Sequence, residues 1–284
     1  MRWLITGSNG MLGTDLVTLL RSLGEDVTAA DRSRLDVTSR ESVEALLPGH
    51  HVVVNAAAWT AVDDAEEHEA AATAVNGEGP RLLAGAAREH GARMVQISTD
   101  YVFDGSVTEP YSEAAVTMPA SAYGRSKAAG EHAVRKELPG GHLLVRTAWL
   151  YGAHGGCFPK TIARLARERG EVSVVDDQVG QPTWTSDVAE LIVRLVRTDA
   201  PAGTYHATSS GQCSWFDFAR AVVVAAGLDA SVVKPTSSDA FVRPAPRPAY
   251  SVLGHDAFAP LGIEPIGPWD ERWKQAAASV LAEE

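Results

Sequence analysis

"RWLITGSNGMLG", residues 2–13, sets an apolar run directly before Gly7, Gly10 and Gly13 at G-x-x-G-x-x-G spacing. The apolar run reads as a buried strand. The residues after Gly10 read as a helix with Leu12, Leu16, Leu19, Leu20 and Leu23 on one stripe. Three demands of a dinucleotide loop exclude a Cβ: a tight turn, close backbone approach to a diphosphate, and close helix–strand packing. The helix start adds N–H donors and positive potential. Asp31, near the end of the next apolar run, completes the pattern as an acceptor for ribose hydroxyls.

Outward from this loop the chain alternates apolar runs with helical patterns. Strands are expected at 2–6, 25–31, 51–58, 93–99 and 142–147, and helices at 11–24, 38–48, 69–91 and 123–138. Thr38 with Glu41 three residues on reads as a capping box, and Pro48 closes that helix. Strands joined by helices imply right-handed crossovers, hence an α/β fold with a doubly wound parallel sheet, Rossmann-like. Past residue 150 the rhythm changes, with helices expected at 158–170, 185–197 and 214–227 and a short strand at 172–175. The Pro-rich stretch "VRPAPRPAY" (242–250) suits an extended surface segment. The expected organisation is a dinucleotide-binding domain over 1–150, to which 171–205 returns, and a smaller C-terminal substrate-binding lobe over most of 151–284.

Composition narrows the function. The chain of 284 residues is 45% apolar and 21% charged, and its formal net charge of -11 repels the phosphates of nucleic acid and anionic membrane. No signal-peptide layout and no apolar run approaching the roughly 20 residues of a membrane helix is present. Cys157 and Cys213 are too few for a disulfide framework and fit no metal-ligand pattern, so a reducing cytoplasm is expected.

"YGRSK" (123–127) puts Tyr123 and Lys127 four positions apart, on one helix face. Hydride transfer to a ketone builds charge on the carbonyl oxygen, so a proton donor must lie within hydrogen-bond reach. A free phenol, with a pKa of about 10, is a poor donor at neutral pH, and a nearby ammonium favours its ionised form. Ser98 and Thr99 end the fourth strand, where ligands of such sheets bind. For the cofactor, Asp31 favours NADH, whereas Arg32, beside Ser33 and Arg34, suits the 2′-phosphate of NADPH; both stay open.

The loop, "NAAA" (55–58), "STD" (98–100) and Tyr123 with Lys127 resemble the extended short-chain dehydrogenase/reductases. More narrowly, "NAAAWTAVDDAE", "STDYVFDG", "YGRSKAAGE", "RTAWLYG", "DDQVGQPTWTSDVA" and "RPAY" resemble the dTDP-4-dehydrorhamnose reductase family over nearly the whole chain. The resemblance implies NADPH- or NADH-dependent reduction of the 4-keto group of a dTDP-4-keto-6-deoxyhexose, yielding dTDP-L-rhamnose in the usual case. It makes Tyr123 the proton donor, Lys127 its partner and Thr99 the hydroxyl that holds the carbonyl. Cofactor contacts are implied for Gly7, Asn9, Gly10, Met11, Leu12, Gly13, Asp31, Arg32, Asp36, Val37, Ala56, Ala57, Ala58, Ser98, Tyr123 and Lys127. Thr60, Val62, Tyr101 and Trp149 match the sugar pocket, and Gln178, Gln181 and Arg247 the nucleotide diphosphate side.

Two departures limit the carry-over. Some relatives bind magnesium at a dimer interface through a glutamate on the first helix and acidic residues after the "PT" motif. Asp15 is shorter and "WTSD" lacks the acidic pair, so no metal and no metal-bridged dimer are expected, and monomer and homodimer both stay open. A 4,6-dehydratase needs Asp-Glu after the threonine, but Asp100 and Tyr101 follow Thr99 here. A 4-ketoreductase for another deoxysugar of an antibiotic pathway, and a non-catalytic cofactor-binding regulatory subunit, remain as alternatives.

Overall fold

Six parallel strands, across the sheet Gly203–His206, His142–Thr147, Arg93–Thr99, Val52–Asn55, Arg2–Thr6 and Asp26–Ala30, form the central sheet of the computed structural model, which describes residues 1–282. The chain begins with β1 (Arg2–Thr6), α1 (Met11–Ser22), β2 (Asp26–Ala30), α2 (Arg40–Leu46) and β3 (Val52–Asn55). It continues with α3 (Glu69–Thr73), a π-helical turn (Ala74–Glu78), α4 (Gly79–Glu89), β4 (Arg93–Thr99), α5 (Ala122–Glu137) and β5 (His142–Thr147). Connections run outward in opposite directions from β1 and β3, and the crevice at this switch point opens beyond the carboxyl ends of the strands. The glycine loop closes its floor.

Alternate side chains of each strand feed opposite faces. Trp3, Ile5, Val52, Val54, Leu143 and Val145 pack in one core with α1 and the helix over 185–197. Leu4, Val53, Met94 and Leu144 pack with Leu83 and Val134 from α4 and α5 on the other side. Burial on both faces explains why the strands read as near-continuous apolar runs.

Beyond β5 come β6 (Leu150–Tyr151), α6 (Phe158–Arg169), β7 (Val172–Val175), β8 (Val179–Gly180), β9 (Thr183–Trp184), α7 (Thr185–Arg197) and β10 (Gly203–His206). The chain ends with β11 (Ser209–Ser210), β12 (Cys213–Ser214), α8 (Trp215–Ala225), β13 (Val233–Thr236), β14 (Ile266–Pro268) and α9 (Trp269–Val280). α6, α8 and α9 enclose a separate apolar core around Tyr151, Phe218 and Trp273. Residues 171–205 divide between the two cores. α7 covers α1 and β10 becomes the sixth strand beside β5, whereas β7 pairs with β13 and not with the central sheet.

Three local expectations need correction. The helix over 69–91 is interrupted by the π turn, because Pro80 has no N–H to offer the carbonyl of Asn76 and its ring crowds that carbonyl. The cap of α2 is Ser39, whose Oγ accepts from the Ser42 N–H at 3.2 Å, while Thr38 is drawn to Asp36, donating its own hydroxyl at 2.7 Å. β10 (Gly203–His206) adds a sixth strand beside the five expected, so the strand expectation is one short. Among the described residues, no helix is long and apolar enough to cross a membrane.

Candidate active site

The loop after β1 is built for close approach. Gly7 has φ +62°, and a Cβ there would lie 2.7 Å from the backbone of Ala56 and Ala57. A Cβ on Gly13 would lie 2.2 Å from the Gly7 carbonyl oxygen. No acidic residue sits in the first turn of α1, so its positive end is uncompensated. These features fit a dinucleotide diphosphate. Gly13→Ala must therefore push α1 off the loop, and NADPH affinity is expected to fall on the order of a hundredfold, the scale on which small misplacements act. Titration of the protein with NADPH measures it.

A cavity of about 730 Å³ runs from this loop to the end of β4. At the loop end it is walled by Gly7, Gly10, Met11, Leu12 and Gly13, with Arg32, Asp36 and Val37 to one side and Ala56, Ala57 and Ala58 opposite. Asn9 and Asp31 are not among its walls. The Asn9 amide donates to Asp31 Oδ2 at 2.9 Å, and Asp31 Oδ1 accepts from the Ser33 hydroxyl at 2.6 Å. These bonds, with that of the Arg34 N–H, hold the Asp31 carboxyl below its usual range. Arg32 is thus the basic group of this corner that lines the cavity.

At the other end stand Ser98, Thr99, Tyr123 and Lys127. Ser121 caps α5 by accepting from the Gly124 N–H at 3.1 Å. Gly124 lets the helix press onto the turn after β4, since a Cβ would lie 2.2 Å from the Tyr101 carbonyl oxygen. Tyr123 is only 9% exposed, and its ring meets Tyr101 edge to face at 5.6 Å. Burial pushes its phenol well above the ordinary range, with the Asp100 carboxylate adding to the rise and a hydrogen bond with Thr99 opposing it. Lys127 is not bonded to the phenol. Its Nζ donates to the Ile97 carbonyl at 2.7 Å, and burial lowers its pKa to about 8 against the opposing charge of Glu131.

Thr60, Val62, Tyr101 and Trp149 line this end of the cavity. The residues named for the diphosphate do not. Gln181 is 1% exposed, and both ends of its amide are taken by the Leu253 backbone, donating to the carbonyl at 3.2 Å and accepting from the N–H at 2.8 Å. It braces the C-terminal segment. Gln178 donates to the Ser238 hydroxyl at 2.8 Å, outside the cavity walls. Arg247 lies behind Tyr101, its guanidinium 5.9 Å from the ring centre and paired with Asp63 at 2.9 Å.

Several residues of the site escape sequence reasoning. Asp100 lines the cavity, accepts from the Thr99 hydroxyl at 2.9 Å, and is raised to about 6 by burial. Asn76, in the π turn, accepts from the Trp59 N–H at 2.9 Å and donates to Ser126 Oγ at 2.9 Å; Ser126 in turn donates to the Tyr123 carbonyl at 2.7 Å. An Asn followed by Gly77 and Gly79 inside an Ala-rich helix was the available signal. Trp215 reaches the cavity from α8. Behind Lys127, Glu131 accepts from Ser98 at 2.7 Å and twice from Arg146 at 2.8 Å. Asp15 accepts from Ser186 at 3.2 Å, and among the described residues no group of three or more His, Cys, Asp or Glu is placed to hold a metal.

Residues 1–282 match the family described as RmlD substrate binding domain. The chain belongs to this family. Among RmlD-type relatives, a dTDP-4-keto-6-deoxy-D-glucose reductase of Streptomyces niveus is 50% identical, covering 100% of this chain and 99% of its own. A dTDP-4-dehydrorhamnose reductase of Streptomyces griseus is 49% identical over 94% of this chain and 90% of its own. The crystal structure of a dTDP-4-dehydrorhamnose reductase from Bacillus anthracis in complex with NADP superposes with a TM-score of 0.93 at 38% identity, covering 97% of this chain and 98% of that one. The match thus spans both the central parallel sheet and the separate C-terminal core.

Proposed function

We propose that this protein is an NAD(P)H-dependent oxidoreductase that reduces the 4-keto group of a dTDP-4-keto-6-deoxyhexose, in the first reading dTDP-4-dehydrorhamnose to dTDP-L-rhamnose. One observation carries it: Thr99, Tyr123 and Lys127 face the same cavity as the glycine cradle, with Tyr101 and Trp149 walling the space beside them. Reduced nicotinamide, when bound, supplies the hydride. The chain supplies the proton and the frame. Tyr123 holds a neutral phenol at neutral pH and gives its proton to the carbonyl oxygen as charge collects there. Thr99 shares that oxygen, and the Lys127 ammonium offsets the phenolate that remains. Met11, Leu12, Ala56, Ala57 and Ala58 would hold the dinucleotide together with Arg32, Ser98, Asp36 and Val37, all of which line the cavity.

A reductase that takes dTDP-4-keto-6-deoxy-D-glucose itself is the second reading, favoured by the name of the Streptomyces niveus relative. Consumption of NADPH or NADH with that sugar, with and without a 3,5-epimerase, followed by NMR of the product, separates the two. Dependence on the epimerase supports rhamnose. Turnover without it supports the second reading, and tight cofactor binding with no turnover on either sugar overturns both.

Arg247 is assigned to the diphosphate on its match to the "RP" motif and its place behind Tyr101. Arg247→Ala is expected to raise KM for the sugar on the order of tenfold while kcat changes little, as loss of a charge-assisted contact away from the reacting atoms should. Steady-state kinetics tests this. The same reading makes the enzyme cytoplasmic and a monomer or homodimer, and the net charge of -11 supports the absence of a nucleic acid or membrane partner.

A further inference from the structure

Trp149 follows β5 with φ +47°, a left-handed backbone conformation that a bulky residue adopts only when its surroundings impose it. Two neighbours do so. The Trp215 ring stacks on the Trp149 ring with centroids 3.6 Å apart and planes 9° from parallel. On β8, a Cβ at Gly180 would lie 2.5 Å from the Trp149 indole, so only glycine lets the strand pass so close.

Trp215 is itself firmly placed. It is the first residue of α8, directly after Ser214, whose hydroxyl and N–H form a capping box with Asp217. Ser214 Oγ also donates to Asp176 Oδ1 at 2.6 Å, and Phe158 packs on the Trp215 ring at 4.4 Å. α8 belongs to the C-terminal core, while β5 belongs to the central sheet. Both indoles wall the cavity that holds Tyr123. One wall of the site is therefore a flat aromatic plate packed against the C-terminal core, with Trp149 reaching it from the segment after β5.

We infer that Trp215 is a specificity-determining residue, bracing Trp149 and selecting with it a pyranose that carries a methyl group rather than a hydroxymethyl group at C5. The inference rests on the keto-sugar reading above. An aromatic plate complements the C–H-rich face and methyl of a 6-deoxy sugar, whereas a 6-hydroxyl buried against it would give up water for a surface poor in partners. Trp149 alone, in a disfavoured backbone conformation, would not hold the plate.

The test compares binding of dTDP-6-deoxyglucose and dTDP-glucose by calorimetry in the NADPH-loaded wild type, Trp215→Ala and Trp215→Phe. Steady-state kinetics on the keto-sugar accompany it, and NADPH Kd serves as the control for folding. The wild type should prefer the 6-deoxy sugar, Trp215→Ala should lose that preference and raise KM on the order of tenfold or more, and Trp215→Phe should recover most of both. NADPH affinity should be unchanged throughout. Failure of the wild type to bind or reduce any of these sugars overturns the keto-sugar reading and this inference with it. Turnover by the wild type with a preference that Trp215→Ala keeps overturns this inference alone.

Discussion

Tyr123→Phe is expected to lower kcat about a hundredfold or more, the usual worth of a positioned general acid, while NADPH Kd stays within about twofold. The phenol oxygen has no structural duty that the ring does not already discharge. Its ring packs with Ala65, Ala72 and Ala122, contacts that phenylalanine keeps, and its hydroxyl is bonded only within the site, to Thr99. Stability should therefore hold while the chemistry fails. Burial leaves the phenol protonated at neutral pH, and Lys127, lowered to about 8, remains largely charged there. Burial thus makes the phenol a weaker acid than a free one, opposite to the lowering expected from the Tyr123–Lys127 spacing. The Lys127 charge is in place to offset the phenolate that forms. Single-turnover reduction by the Phe variant, with cofactor binding measured separately, decides it; near-normal turnover removes Tyr123 from the proton-donor role.

Arg146→Met is expected to destabilise the fold by about 3–5 kcal/mol, because it strands a buried carboxylate. Arg146 and Glu131 are each 1% exposed and joined by two bonds of 2.8 Å. Burial alone would raise the Glu131 pKa, but the guanidinium and Ser98 outweigh it and hold the carboxyl ionised. Removal of the cation leaves that charge with Ser98 and the half-exposed Arg135 as its remaining partners. Pairing the change with Glu131→Leu should recover much of the loss, since two apolar groups need no partners. Denaturant midpoints of the two variants against wild type measure this, and a single variant as stable as wild type refutes the account.

The parts of this protein that sequence revealed are those whose physics is local. The glycine loop, the paired Tyr123 and Lys127, and the apolar strands each declare themselves within a dozen residues. Sequence reasoning lost what depends on distant partners. Gln181 lies in a motif that suggests a ligand, yet Leu253 occupies its amide from 72 positions away. The bonds of Asp31 to Asn9, 22 positions earlier, and to Ser33 are likewise invisible in the spacing rule that singles it out. Trp215 sits at a helix start in the second lobe, with nothing nearby to show that its ring meets Trp149. The Lys127–Ile97 bond likewise joins a helix to a strand thirty positions earlier. Reading "YGRSK" alone would pair lysine with tyrosine.

β10 carries a consequence for anyone hoping to exchange parts between relatives. The strand that borders the dinucleotide half is drawn from residues 203–206, and Phe258, Ile263 and Ile266 fill the same apolar layer as α1. Cutting after residue 150 would bare one side of β5 and uncover the α1 layer, so the first 150 residues should not survive as a stand-alone cassette. Chimeras that graft a new sugar lobe would need crossover points that leave α7, β10 and the 257–266 segment with their original half.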